Sequence, residues 1–319
     1  MKEQMKEQIS QSFWNKRIVV ILGALFCCFL WGSASPAIKN GYSIFGIEAG
    51  DTAGRLLFAG MRFIIAGIMV IGYESIKEHK VIVPERGAWK KVFALSVFQT
   101  SAHYFLFYLG LAYTSGVRGS IINSVEIFIS MSLAVWAFKT EKMTVRKAAG
   151  SVLGFLGVVL CITGGSFQQV LSGGFRIEGE GALLASAFMS AMASNLIKKI
   201  AVKENPVTMS GWQFLTGGIT LTLIALLMGG RLSMQSQLGI PLIIYMGFIS
   251  AGAYTVWSVL LKYNPVSTVS ILGFMNPIFG VILSIIFLQE ESEATSLVVL
   301  LALILVSLGI VIVNRKPKE

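Results

Sequence analysis

A single charge interrupts the twenty residues GSIINSVEIFISMSLAVWAF at 119–138, the carboxylate of Glu126. At the centre of a bilayer a charge costs at least ~2.5–3.5 kcal/mol on insertion scales, so Glu126 needs a partner, a wet cavity or a ligand. On a helix, Asn123 three residues before it and Ser130 four after it share its face, which gives a narrow polar stripe. Ser96, Gln99 and His103 form a similar stripe in an upstream apolar run, and Arg62 sits inside another. Counted from the run ends at ~1.5 Å per residue, Glu126 and Arg62 lie roughly 12 Å deep and His103 roughly 15 Å. Three ionisable groups thus share one depth.

Their chemistry is proton transfer and charge pairing. Desolvation favours a neutral Glu126 carboxyl and a nearby Arg62 favours the ionised form, a competition that makes a group switchable. Glu126 could therefore pair with a cationic substrate group or bind and release a coupling proton. A static Arg62–Glu126 pair that joins two helices is the structural alternative. His103, with an ordinary pKa near 6.5, suits a proton relay or a neutral hydrogen-bonded role. Arg62 suits a carboxylate or phosphate, which it can grip with two parallel bonds. Tyr104, Tyr254, Trp257, Trp31 and Trp212 are candidate cavity aromatics, although such rings also pack helices or anchor at interfaces. Asn195, Gln213 and Asn276 supply only neutral hydrogen-bonding groups, so the polar site is expected to be lopsided, weighted towards the second to fourth apolar runs.

The elements that position these groups follow from composition. Of 319 residues 55% are hydrophobic and 13% are charged, with mean hydropathy +0.74. Such a chain is an all-α integral membrane protein before any motif is considered. Ten runs are near the ~20 residues that cross a bilayer: 18–38, 54–73, 92–113, 118–138, 145–164, 181–198, 207–229, 238–261, 265–288 and 294–313. The first is longer than a signal-peptide core and holds Trp31 and Pro36, so it is read as a retained span. The net charge of +10 does not indicate nucleic acid, because the basic residues cluster between apolar runs rather than along one face. With the N-terminus inside, only Lys39, Arg55, Arg62, Arg118, Arg176 and Arg231 of the 26 Lys and Arg fall outside the cytoplasmic loops and tails. Both termini are therefore expected in the cytoplasm. Cys27, Cys28 and Cys161 lie in apolar runs, and neither His79 nor His103 is spaced to them as a metal ligand, so no metal or other cofactor is expected. Two histidines and no paired acidic motif also argue against a membrane-embedded enzyme.

The chain repeats itself. At a shift of 150 residues, YTSGVRGSIINSVEIFISMSLAVWAFKTE (113–141) aligns without a gap on YNPVSTVSILGFMNPIFGVILSIIFLQEE (263–291), and Tyr104 meets Tyr254. At 151, RFIIAG (62–67) meets QFLTGG (213–218). The expected organisation is a short lead (1–17), a first repeat (18–165), an outer loop (166–180), a second repeat (181–313) and a tail (314–319). Five helices per repeat is an odd number, so the second copy enters from the opposite side, and the basic loop 139–147 and acidic loop 289–295 agree with that. Inverted repeats around a central cavity are the usual construction of secondary transporters, because exchanging the conformations of the halves gives alternating access.

FLWGSASPAIK (29–39), RFIIAG (62–67) and NPIFGVILSIIFLQE (276–290) then resemble, in order, the first, second and ninth helices of EamA-type carriers of the drug/metabolite transporter superfamily. Where that resemblance implies a proline in the fourth helix, opposite Pro277, this chain has Ile127 beside Glu126. The resemblance implies a ten-helix carrier in a bacterial inner membrane, moving a small polar metabolite such as an amino acid, most often outward. Proton coupling then follows from the buried carboxylate. A nucleotide-sugar or sugar-phosphate exchanger would lean on Arg62 and Arg118 instead, and a channel is the remaining alternative. The expected partners are a small-molecule substrate, the lipid bilayer and protons.

Overall fold

The computed structural model describes residues 10–48, 50–114, 119, 122–163, 175–288 and 296–314. Arg118, the acidic loop 289–295 and most of the loop 166–180 lie outside the described residues. Among the described residues eight helices are long and apolar enough to cross a membrane: α1 (Arg17–Ile44), α2 (Thr52–Lys77), α3 (Arg86–Tyr113), α5 (Val145–Thr163), α6 (Ile177–Ile200), α7 (Pro206–Leu227), α8 (Gly239–Tyr263) and α9 (Val266–Phe287). Two further apolar helices, α4 (Ile122–Ala137) and α10 (Ser296–Asn314), complete the described chain, and a count of ten spans needs both of them to cross. Helix is the natural answer here, since every backbone polar group must be satisfied within its own segment when no water is present.

Local chemistry sets where these helices begin and break. The Asp51 side chain accepts from the Gly54 N–H at 2.7 Å and starts α2. Asn205 accepts from Val207 N–H at 2.9 Å and starts α7, where Pro206 takes the first helical position and forfeits no bond. Pro277 denies the Gly273 carbonyl its partner one turn back, and α9 tightens to a 3₁₀ turn at Ile271–Phe274. In α3 the turn Ser96–Ser101 widens to π geometry just before His103, a distortion common at functional sites.

Packing follows a regular rule. α2 lies along α7, α5 along α10, α1 against α8 and α9, and α6 against α3 and α4. Replacing each helix by the one five places on leaves this set of pairings unchanged. Small residues allow the closest contact. A Cβ on Gly60 would lie 3.0 Å from the Gly218 carbonyl oxygen, and one on Gly218 would lie 2.9 Å from the Gly60 carbonyl oxygen. Gly67 and Gly211 repeat this contact one helical stretch away, since a Cβ on Gly67 would lie 2.9 Å from the Gly211 oxygen. Outward-facing apolar residues such as Ile68, Leu156, Leu223 and Leu308 remain exposed, which gives the bundle a surface suited to lipid. The three cysteines are free and buried, and Cys27 and Cys28 donate to the carbonyls of Ala253 and Leu272. They are packing residues.

Candidate functional site

An aromatic column crosses the middle of the bundle. The Trp31 ring of α1 meets Tyr254 edge-on at 5.0 Å and Trp257 at 5.1 Å, both on α8. The Tyr254 hydroxyl bonds the Tyr104 hydroxyl of α3 at 2.8 Å. These two tyrosines are the pair matched by the 150-residue shift, so the bond joins equivalent positions of the two halves. Arg62 of α2 is 3% exposed, and its guanidinium sits 4.4 Å from the Phe63 ring centre and 5.1 Å from that of Tyr104. Cation–π contact of this kind is worth about 2 kcal/mol when desolvated. Its Nε finds no hydrogen-bond partner among the described residues.

Glu126 is half-buried. Its Oε1 accepts from the Ser190 hydroxyl of α6 at 2.7 Å. Among the described residues it forms no ion pair, so the static Arg62–Glu126 pair is not formed. The physical reason is that Arg62 is taken up by aromatic faces and Glu126 turns towards α6. Tyr254 nevertheless lies within electrostatic range of both charges. One turn before Glu126, the Asn123 Oδ1 is buried without a partner among the described residues, as are Trp31 Nε1, Asn195 Oδ1 and Gln213 Nε2. Tyr254 thus links the aromatic column to the two charged side chains.

Several expected site residues tie helices together instead. Ser186 Oγ donates to the His103 carbonyl at 2.9 Å and His103 Nδ1 meets the Ser186 carbonyl at 3.0 Å, so the imidazole joins α3 to α6. Asn195 donates to the Ser130 carbonyl of α4 at 3.0 Å. Gln213, fully buried, accepts from Thr100 at 2.8 Å. Gln99 lines a small void with Ser210 and Ser258 towards the end of the bundle that holds residues 139–147. Asn276 is half-buried on α9, beside Cys28. Trp212 does not reach the column: its Nε1 donates to the Ile82 carbonyl at 2.9 Å and its ring packs on Trp89. An indole prefers an interface where its N–H finds a carbonyl, and the loop before α3 offers one.

α2, α3 and α4 supply the charges, but α6 supplies Ser190 and α8 supplies Tyr254 and Trp257. Ser190, Ser186 and Phe63 were not legible as site residues. The one signal for the serines was their four-residue spacing on α6, which puts both on one face.

At the end carrying residues 139–147 the halves are laced together. Glu141, on the α4–α5 loop, pairs with Lys147 at 2.8 Å, accepts from the Ser267 N–H at 3.2 Å and takes a bond from the Ser267 hydroxyl. It therefore caps the start of α9 from another helix pair, where a carboxylate also suits the helix dipole. Within the second repeat, Lys198 of α6 donates to the carbonyls of Lys262 and Asn264 at 3.1 and 2.8 Å. Burial pushes the Glu141 carboxyl up, but Lys147 and Ser267 outweigh it and hold it below the usual carboxylate range. A lowered pKa means this tie is complete above that range and is lost as pH falls through the lowered value.

Long apolar helices with lipid-facing exteriors and polar groups drawn to the interior define a multi-pass membrane protein. The EamA-like transporter family model matches residues 18–163 and again residues 178–315, and the chain belongs to that family. It is similar to an uncharacterized transporter of Archaeoglobus fulgidus, 29% identical over 95% of this chain and 99% of that protein. The uncharacterized transporter YvbV of Bacillus subtilis is 25% identical over 92% of this chain and 90% of its own. A WAT1-related chloroplastic protein of Arabidopsis thaliana is 25% identical over 85% of this chain and 64% of its own length. A crystal structure at 16% identity superposes with a TM-score of 0.74 over 92% of this chain and 97% of that one, a likeness of fold.

Proposed function

We propose that the protein is a secondary active transporter that moves a small polar metabolite, an amino acid or related compound, out across a bacterial cytoplasmic membrane by alternating access coupled to protons. The observation that carries this reading is the interlocked pairing of α1–α5 with α6–α10, unchanged by a five-helix exchange. The two separate matches to one family model support it. Two halves related in this way can trade conformations around the Trp31–Tyr254–Glu126 region. Glu126 is the half-buried carboxylate of that region, and is assigned the substrate or proton role. Arg62, Tyr104, Trp31, Trp257 and Asn123 line the same region; His103, Asn195 and Gln213 hold its walls.

The reading is tested in proteoliposomes by following pH-gradient-driven counterflow across a panel of amino acids, nucleobases, amines and sugar phosphates. Saturable flux that responds to solute on the opposite side supports a carrier, and flux that neither saturates nor responds makes it a channel. The inverted arrangement has its own check. Cysteines placed at Lys142 and Ser292 are expected to label from opposite sides of the membrane, and labelling from one side rejects the arrangement.

The Glu141 lacing is assigned to closure of the cytoplasmic side. Glu141→Gln removes its charged hydrogen bonds, a loss of about 2 kcal/mol. A cysteine at Ser270, 5% exposed in this state, is then expected to react several-fold faster with a reagent added from the cytoplasmic side. Acidifying that side below the usual carboxylate range is expected to do the same to the native chain. Unchanged reactivity in both experiments removes Glu141 from the closure.

A further inference from the structure

We infer that the group recognised on the transported molecule is an ammonium ion, held by Glu126 while Trp31 and Tyr254 cover an apolar body beside it. The inference rests on the carrier reading above and narrows it from small polar metabolites to organic amines.

Three observations carry it. First, the two charges of the region are not equally available. Arg62 is 3% exposed and roofed by the rings of Phe63 and Tyr104, so an incoming phosphate or carboxylate would have to displace aromatic contacts to reach it. Glu126 is half-buried, and among the described residues only the Ser190 hydroxyl donates to it, which leaves Oε2 to accept from a ligand.

Second, on the helix face that carries Glu126 the unpaired buried atom is an acceptor. Asn123 Oδ1, one turn earlier on the same helix face, is buried without a donor among the described residues. Two acceptors in one stripe match a group with several donors and no acceptor, which describes a primary ammonium and not a phosphate or sugar. Third, the aromatic faces are divided. Phe63 and Tyr104 already carry the guanidinium of Arg62. Among the described residues no protein cation lies over Trp31, Tyr254 or Trp257, although Trp31 touches both of the others. Indole faces attract cations best among the aromatic side chains and tolerate any flat apolar body. The nearby Arg62 charge disfavours a second positive group, so the ligand is a monocation.

The test is binding to the purified full-length protein, read by the fluorescence of its tryptophans and by thermal stabilisation. The probes are phenethylamine, phenylalanine, phenylacetate and glucose 6-phosphate at up to 10 mM, about the weakest binding worth detecting. Phenethylamine is expected to bind at least as tightly as phenylalanine, and phenylacetate and the sugar phosphate are expected not to bind. Glu126→Gln should weaken phenethylamine at least tenfold, with Glu126→Asp recovering part of the loss, and Trp31→Leu should weaken it severalfold. Should Glu126→Gln fail to fold, the Trp31→Leu result and the ranking of the four probes still decide. Overturning results are phenylacetate or the sugar phosphate binding as well as the amine, phenylalanine binding tenfold tighter than phenethylamine, or no amine binding at all. Counterflow of a neutral or anionic solute with no amine binding would sink the ammonium assignment and leave the carrier reading standing.

Discussion

Glu126→Gln is expected to abolish proton-driven flux while leaving the protein folded. The amide keeps the shape of the carboxylate and its Oε1 can still accept from Ser190, so the α4–α6 contact at 2.7 Å survives the change. What disappears is the charge. If the carboxylate pairs with the substrate, removing one partner of a desolvated charge pair costs about 2–5 kcal/mol, which is a fall of roughly 30-fold or more in apparent affinity. If it carries the coupling proton, a group that cannot titrate leaves exchange indifferent to the pH gradient. The melting temperature should stay within a few degrees or rise, because burying a neutral amide avoids the desolvation cost of an ion. Vesicle flux and a melting curve on the same preparation provide the check. Undiminished, pH-dependent flux in the variant would remove Glu126 from transport altogether.

The second large effect is structural. Gly218→Val is expected to prevent α7 from seating on α2. A Cβ there would fall 2.7 Å from the Ile64 backbone nitrogen and 2.9 Å from the Gly60 carbonyl oxygen, and backbone atoms of a packed helix have nowhere to go. Overpacking at ordinary core sites costs about 1–3 kcal/mol, and a clash against main chain sits at the top of that range, about 3 kcal/mol. Loss of monodisperse protein on size-exclusion chromatography is the expected readout. Gly72→Ala on α2 provides the comparison, since no atom lies within 4 Å of the added Cβ and helix propensity there favours alanine over glycine. Equal yields from both variants would mean that the α2–α7 crossing is not the tight contact described.

The reach of each level of information can be judged from particular residues. Several helix ends were readable to within a few residues: the run expected at 54–73 is Thr52–Lys77, and that at 238–261 is Gly239–Tyr263, whereas α1 runs on to Ile44 past the expected 38 and α3 starts at Arg86 ahead of the expected 92. Apolar length is a property of the segment alone, and in hydrocarbon a segment has no other way to satisfy its backbone. The match of Tyr104 to Tyr254 was readable too, as a weak repeat signal, but not the hydrogen bond between them. Arg62 and Glu126 could be ranked as buried and costly from their neighbours in the chain. That they turn away from each other could not be ranked at all, because it depends on which rings and hydroxyls of distant helices arrive first. Phe63 follows Arg62 in the chain, but adjacency alone did not reveal that its ring would lie against the guanidinium. Trp212 looked like the other aromatics and differs only in having the Ile82 carbonyl within reach.

Sequence by itself determined that the chain is a helical membrane protein, where its helices run, that its halves correspond, and which few polar side chains are too expensive to be idle. Those are consequences of hydropathy, length and repetition, each set by residues close together in the chain. Tertiary structure alone decided the partner of each polar group: a carboxylate joined to Ser190 rather than to Arg62, a histidine that clasps α6, and a glutamate that caps a helix more than a hundred residues away. Partner choice is a contest among groups brought together by helix packing, and a short hydrogen bond won there outweighs anything local propensity can express.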